Sequence, residues 1–193
     1  MFEYLQGKIT DLTPTFVVVE TGDIGYHIHI SLHTYTFIKD LTETRLYIHH
    51  VIREDVHLLF GFFDRTERML FRQLVSVSGI GANTARLILS SMSPEDLRQT
   101  IATENVAVLQ GIKGIGTKTA QRVIVDLRDK VGKIPETGEI LQVQDNSILE
   151  ESLSALVTLG FPRARVRKVV EKIISGTPSV AVEEVVKEAL KVL

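Results

Sequence analysis

Through residues 1–64 apolar and polar positions alternate, and β-branched and aromatic side chains gather in five stretches: Phe2–Thr10, Phe16–Glu20, Gly25–Ser31, Arg45–Arg53 and Val56–Phe63. Alternation of this kind predicts five strands. Turn-forming residues separate them at Asp11–Pro14, Thr21–Asp23 and Glu54–Asp55, with a longer polar interval at Lys39–Thr44. So short a segment leaves five strands little choice but to close into a small barrel. After Phe63 the apolar period changes from two to between three and four. Asp64, with Glu67 three residues on, predicts a capping box opening a helix, and Ser93-Pro94-Glu95-Asp96 predicts another with proline in its first turn. Residues 65–131 therefore read as all helical. Residues 132–146, with Pro135 and Gly138, read as a flexible linker, although Ile140, Leu141 and Val143 interrupt its polarity. Three more helices follow, marked by Leu149, Leu153, Leu156 and Val157, then Val166, Val169, Val170, Ile173 and Ile174, then Val182, Val185, Val186, Ala189 and Leu190. The expected class is a multidomain α+β chain: barrel 1–64, helical domain 65–131, linker 132–146 and three-helix domain 147–193.

Within the helical region one phrase occurs twice, 35 residues apart: Ser78-Gly79-Ile80-Gly81-Ala82-Asn83-Thr84-Ala85 and Lys113-Gly114-Ile115-Gly116-Thr117-Lys118-Thr119-Ala120. Each copy lies between two helical patterns, so each predicts helix, tight glycine hairpin, helix. Glycine reaches positive φ readily and has no Cβ, which lets the loop bring its backbone against a ligand. The helix that follows opens with unpaired N–H groups and a partial positive charge, which suits an anion. One exposed site of this kind is worth on the order of 1 kcal/mol. Two at fixed separation can hold successive phosphates of a nucleic acid without reading its sequence. A plain helix–helix connection with the isoleucine in the core is the other reading, and duplication in register counts against it. A nucleotide-binding P-loop fails, because Thr117 separates Gly116 from Lys118 and a helix rather than a strand precedes the loop.

Composition narrows the classes. The 193 residues are 44% hydrophobic and contain no cysteine, which excludes disulfides and thiolate metal sites. No apolar run is long enough to span a membrane, and Met1-Phe2-Glu3-Tyr4 lacks a secretory pattern, so the expected location is the cytoplasm. The net charge of −2 conceals a division. Residues 1–64 carry four Lys/Arg against nine Asp/Glu, residues 65–132 ten against six, and residues 133–193 eight against nine. The basic excess coincides with the glycine hairpins, where a polyanion needs it. In the last domain Arg163, Arg165, Arg167 and Lys168 read as a solvated face, with a second DNA patch as the alternative.

With the hairpins placed, the chain resembles the RuvA family, the DNA-binding subunits of the bacterial Holliday-junction branch-migration machine. The resemblance runs nearly full length, through Leu5-Gln6-Gly7-Lys8-Ile9, Ile24-Gly25-Tyr26, Arg53-Glu54-Asp55, Leu59-Phe60-Gly61-Phe62, both hairpins and Arg122-Val123-Ile124-Val125-Asp126-Leu127. It implies an oligonucleotide-binding (OB) barrel, a tandem helix-hairpin-helix domain and a C-terminal UBA-like three-helix domain. The function implied is that of a homotetramer, with an octamer on DNA as a further form, that holds a four-way junction open and flat during recombination and repair. The implied partners are junction DNA, the RuvB ATPase through residues 147–193, and the RuvC resolvase. Carried over by position, the phosphate cradles are Gly79, Gly81 and Asn83, then Gly114 and Gly116, with Lys118 and Arg122 supplying charge. The first hairpin departs from the family by Ala82-Asn83, where a proline and a lysine are common, so that site leans on its backbone N–H groups. Glu54 and Asp55 match an acidic pin at the junction centre, where they repel phosphates; read without the resemblance, they form an ordinary acidic turn.

Two other classes compete. A repair nuclease or glycosylase could dock through the hairpins, but it needs a carboxylate set or a positioned base. All six histidines fall within residues 27–57. His27 and His29 share one strand face, His49 and His50 point oppositely, and no carboxylate follows at ligand spacing. Surface or subunit-contact roles are expected for them, with no catalytic residue, metal or cofactor. In the third class the barrel is chiefly an assembly platform and DNA binding is secondary.

Overall fold

A computed structural model describes residues 2–131, 144–176 and 181–193. Most of the expected linker, residues 132–143, lies outside the described residues. The chain divides into two compact units, Met1–Ile134 and Pro135–Leu193.

In the first unit β1 (Tyr4–Leu12), β2 (Phe16–Thr21), β3 (Ile24–Ile30), β4 (Glu43–Ile52) and β5 (His57–Phe62) form a closed barrel in the order β1-β2-β3-β5-β4. All neighbours are antiparallel except β3 and β5, which pair in parallel through Ile28 with Leu59 and Ile30 with Gly61. This is the OB architecture that the alternation predicts. Its interior consists of Leu5, Val17, Val19, Ile28, Ile30, Leu46 and Ile48, the inward half of each alternating pair.

One element escapes the sequence pattern, α1 (Leu32–Ile38), between β3 and β4. Thr34, Tyr35, Thr36, Phe37 and Ile38 favour strands intrinsically. The helix forms because Ser31 caps it, its hydroxyl accepting the Thr34 N–H at 3.0 Å, and because Thr34 and Ile38 are buried. The expected capping box at Asp64 is correct only in half. Asp64 accepts the Glu67 N–H at 2.7 Å, but the Glu67 side chain does not turn back to the Asp64 backbone. It is fully buried and accepts hydrogen bonds from the hydroxyls of Ser31 and Thr34, the latter at 2.6 Å. One hydroxyl caps α1 and the other lies within it, so no local pattern around Asp64 reveals the diversion.

The helical part comprises α2 (Arg65–Val75), α3 (Ala82–Ser91), α4 (Pro94–Ala102), α5 (Val106–Gln110) and α6 (Thr117–Val131). α4 opens as expected, with Ser93 accepting the Asp96 N–H at 3.1 Å and Pro94 in the first turn. The helices share a core built on Leu70, Phe71, Leu74, Ile88, Leu89, Leu97, Ile101, Leu109, Val123 and Leu127, which also takes in Phe60 and Phe62 of β5. Barrel and helices are therefore continuous in packing. Arginines reinforce the junction. Arg68 pairs with the Glu3 carboxylate and donates to the carbonyls of Glu3 (2.9 Å) and Ile48 (3.3 Å). Arg86 donates to the carbonyls of Thr15 (2.9 Å) and Ile30 (3.3 Å).

The second unit contains α7 (Gln144–Thr158), α8 (Arg163–Gly176) and α9 (Val182–Leu190) around Leu153, Leu156, Val166, Val170, Val185 and Ala189. α7 begins at Gln144, so residues 144–146, expected in the linker, are helical. α7 ends in a Schellman motif: Gly160, at φ +99°, donates to Val157 at 3.0 Å and Phe161 donates to Leu156 at 3.2 Å. No helix among the described residues is long and apolar enough to cross a membrane.

Candidate nucleic-acid interface

The duplicated phrase has duplicated geometry. In the first hairpin Ile80 N–H donates to Val77 at 3.0 Å, Gly79 has φ +94°, and Ala85 N–H donates to Gly81 at 2.9 Å. In the second, 35 residues on, Ile115 N–H donates to Ile112 at 3.1 Å, Gly114 has φ +90°, and Ala120 N–H donates to Gly116 at 2.9 Å. Both isoleucines are only 5% exposed, so each plugs the core as the plain-connection reading requires. Around each plug the loop turns outward: Gly79, Gly81, Gly114 and Gly116 are all exposed.

The four glycines have two different justifications. Gly79 and Gly114 occupy the left-handed region, where a side chain is strained. Gly81 does not: its φ is −86° and ψ 167°. A Cβ built on Gly81 or Gly116 meets no atom within 4 Å, and neither has positive φ. The fold itself gives no steric reason for glycine there. A surface that must admit another molecule's backbone does. Gly81 is the N-cap of α3 and supplies no side-chain cap, so the first amides of that helix keep no side-chain acceptor from the cap.

At the second position of each following helix stand Asn83 and Lys118, both exposed. The structure divides the basic residues more sharply than their number suggests. Arg68 and Arg86 are committed to barrel carbonyls. Arg65 lies over the Tyr47 ring at 5.3 Å, and Arg128 pairs with Glu104 at 2.8 Å. Arg122 Nη1 donates to the carbonyl of Ser78 at 3.0 Å, linking the second motif's helix to the first motif's loop. Lys113 and Lys118 flank the second hairpin without an ion pair among the described residues. The first hairpin has no lysine or arginine in its own phrase.

Glu54 and Asp55 are exposed at the tip of the β4–β5 hairpin, whose turn is closed by Arg53 N–H donating to Val56 at 2.9 Å. Among the described residues neither carboxylate joins an ion pair, and no hydrogen bond ties them to the glycine hairpins. In the second unit Arg163 pairs with Glu150 at 3.1 Å and Arg167 with Glu171 at 2.8 Å, which favours the solvated face over a second DNA patch.

The histidines pack against aromatic rings. His27 stacks on Phe16 at 4.5 Å and meets His29 edge-on at 5.0 Å; His50 faces His57 at 5.4 Å and Phe2 at 5.5 Å; His49 rests on Phe71 at 5.2 Å. Burial holds His29 and His49 below the ordinary histidine range. One grouping is invisible in sequence: ligand atoms of His33, Asp64 and Glu67 lie within 4.8 Å of one another. Some thirty residues of chain separate the histidine from the carboxylates, so spacing rules cannot detect it. Glu67 accepts two hydroxyls there and Asp64 caps α2, which accounts for both carboxylates structurally. Burial pushes the Glu67 carboxyl up to about 7, against the opposing effect of those hydroxyls.

Comparison with known proteins agrees with this architecture in all three parts. The family model described as the RuvA N-terminal domain matches residues 1–61, a SAM-like helix-hairpin-helix tandem matches residues 71–129, and the RuvA C-terminal domain matches residues 147–193. Proteins named Holliday junction branch migration complex subunit RuvA are similar over the whole chain. That of Christiangramia forsetii is 48% identical over 193 residues, and that of Parabacteroides distasonis 49% over 200, with full coverage of both chains in each case. That of Azobacteroides pseudotrichonymphae is 46% identical over 196 residues, again with full coverage. With barrel, paired hairpins and C-terminal helices matched in order and at this identity, the chain belongs to the RuvA family.

Proposed function

We propose that this chain binds four-way DNA junctions through backbone contacts, as a non-catalytic subunit of a branch-migration complex. One observation carries the reading: two copies of one glycine hairpin are both exposed, with Gly81 and Gly116 keeping open the space that a phosphate needs. The names of the relatives support the junction as the target. In this reading residues 1–64 form the platform, residues 65–131 grip the duplex arms, and residues 147–193 recruit and regulate the RuvB ATPase. Gly79, Gly81 and Asn83 form one cradle and Gly114, Gly116 and Lys118 the other. Glu54 and Asp55 act as the pin that keeps strands apart at the crossover. Four copies assembled on one junction face present this set once to each arm and hold the junction open and planar.

A gel-shift comparison of a four-way junction with linear duplex of the same sequence tests the reading. Tighter binding of the junction is expected; equal affinity for both overturns junction specificity. Repeating the measurement with RuvB and ATP tests recruitment, and deletion of residues 147–193 should abolish any supershift while leaving junction binding intact.

A further inference from the structure

The two hairpins repeat in sequence, but they are not equipped alike. In the first, the second helical position is Asn83; in the second, the same position is Lys118. The position of Arg122 is occupied in the first copy by Leu87, so no reciprocal bond from the first motif to the second can form. Among the described residues a polar link between the motifs runs from Arg122 Nη1 to the carbonyl of Ser78, 3.0 Å away, and Ser78 immediately precedes Gly79. Asp126 lies one turn beyond Arg122 on the same helix, at the spacing of a helical ion pair. The two do not pair: among the described residues Arg122 has no carboxylate partner.

We infer that Arg122 is a positioning residue for the first hairpin, supplied by the second motif. The Ser78 carbonyl, two residues past the Ser76 C-cap of α2, accepts a charge-assisted hydrogen bond, and the bond orients the peptide leading into the positive-φ glycine. The guanidinium also brings to the first hairpin the positive charge that its own phrase lacks. Only one of its five N–H donors is used in this bond, so its outer edge remains free for a phosphate. One arginine thus serves both sites and sets the spacing between them.

This inference rests on the proposed DNA-binding role, but its main test does not need DNA. In full-length protein labelled with ¹⁵N, Arg122→Met should shift the Gly79 amide resonance and speed hydrogen exchange at Ile80 by about tenfold, because the turn loses its anchor. Lys118→Met, which removes a neighbouring charge on the same helix, should leave both unchanged. Arg122→Lys, which keeps a cationic donor, should restore part of the Gly79 shift. With DNA, Arg122→Met should weaken junction binding about tenfold or more. The loss should be non-additive with Asn83→Ala on the first hairpin. Changes confined to residues near 118–126, with Gly79 and Ile80 unmoved, overturn the positioning role, even if binding falls. If wild-type protein does not bind junctions, the functional reading fails, while the DNA-free spectra still decide the role of Arg122.

Discussion

Gly81→Asp separates the two demands on that position, because stability and binding should move in opposite directions. Gly81 has extended N-cap geometry, and a Cβ there meets nothing within 4 Å, so aspartate fits without strain. Its carboxylate can accept a first-turn amide of α3, which gains a few tenths of a kcal/mol over glycine. The helix dipole adds about 0.3–1 kcal/mol. A net gain of about 0.5–1 kcal/mol should raise the melting temperature by roughly 1–4 °C, read by circular dichroism. The same carboxylate captures the amides proposed to hold phosphate and places a negative charge beside it. At about 4 Å that repulsion is worth from about 1 kcal/mol at the dielectric of water to about 4 near a protein surface. Affinity for the junction should therefore fall at least about fivefold per affected site. A variant that melts higher and binds junctions like the wild type would refute the claim that these amides hold DNA. A variant that melts lower would refute the description of Gly81 as the cap of α3.

Other consequences are open to direct measurement. Lys118→Ala should weaken binding to all sequences alike and lower the slope of log affinity against log salt by about 1 for each phosphate that Lys118 neutralises; an unchanged slope shows that Lys118 touches no phosphate. Replacing both Glu54 and Asp55 by Asn should tighten binding to linear duplex more than to the junction, so the ratio of the two affinities falls in the gel shift. Glu67 binds its proton more tightly in the folded chain, at about 7, than its ordinary 4.5, so its contribution to stability declines as pH rises between those values. Glu67→Gln should remove that decline. His29 and His49 are held low by burial and act in the opposite sense just below pH 6.5, so the diagnostic quantity is the difference between wild type and variant across denaturation curves. Arg68→Met removes a charged donor from the carbonyls of Glu3 and Ile48, the latter keeping only Arg72 at 3.5 Å, and should cost about 1–3 kcal/mol, seen as a lower urea midpoint.

Local patterns reveal most of the elements, because strands and helices report their periods over a few residues. The strands, the helices flanking each glycine hairpin and the Ser93 cap all follow from such patterns. α1 does not, because its own side chains favour a strand and its stability comes from the Ser31 cap and from burial. The candidate site is legible through repetition: spacing alone places Gly79 and Gly114 in tight bends. What spacing cannot tell is that Gly81 and Gly116 lie in open space with no internal need to be glycine, which is the stronger sign of an approaching ligand.

By itself, then, the sequence determined the order of barrel, paired hairpins and terminal helices, and the chemistry that two exposed helix starts can offer an anion. Tertiary structure decided where the charges go. By number alone Arg68 and Arg86 belong to the basic excess that a polyanion would meet, yet they bind barrel carbonyls, and Arg122 spans the two motifs. Glu67 has the spacing of half a local cap but is a buried acceptor for hydroxyls more than thirty residues away. A hydrogen-bonding group takes the partner that folding brings within about 3 Å, and for long polar side chains that partner is set by packing between distant segments.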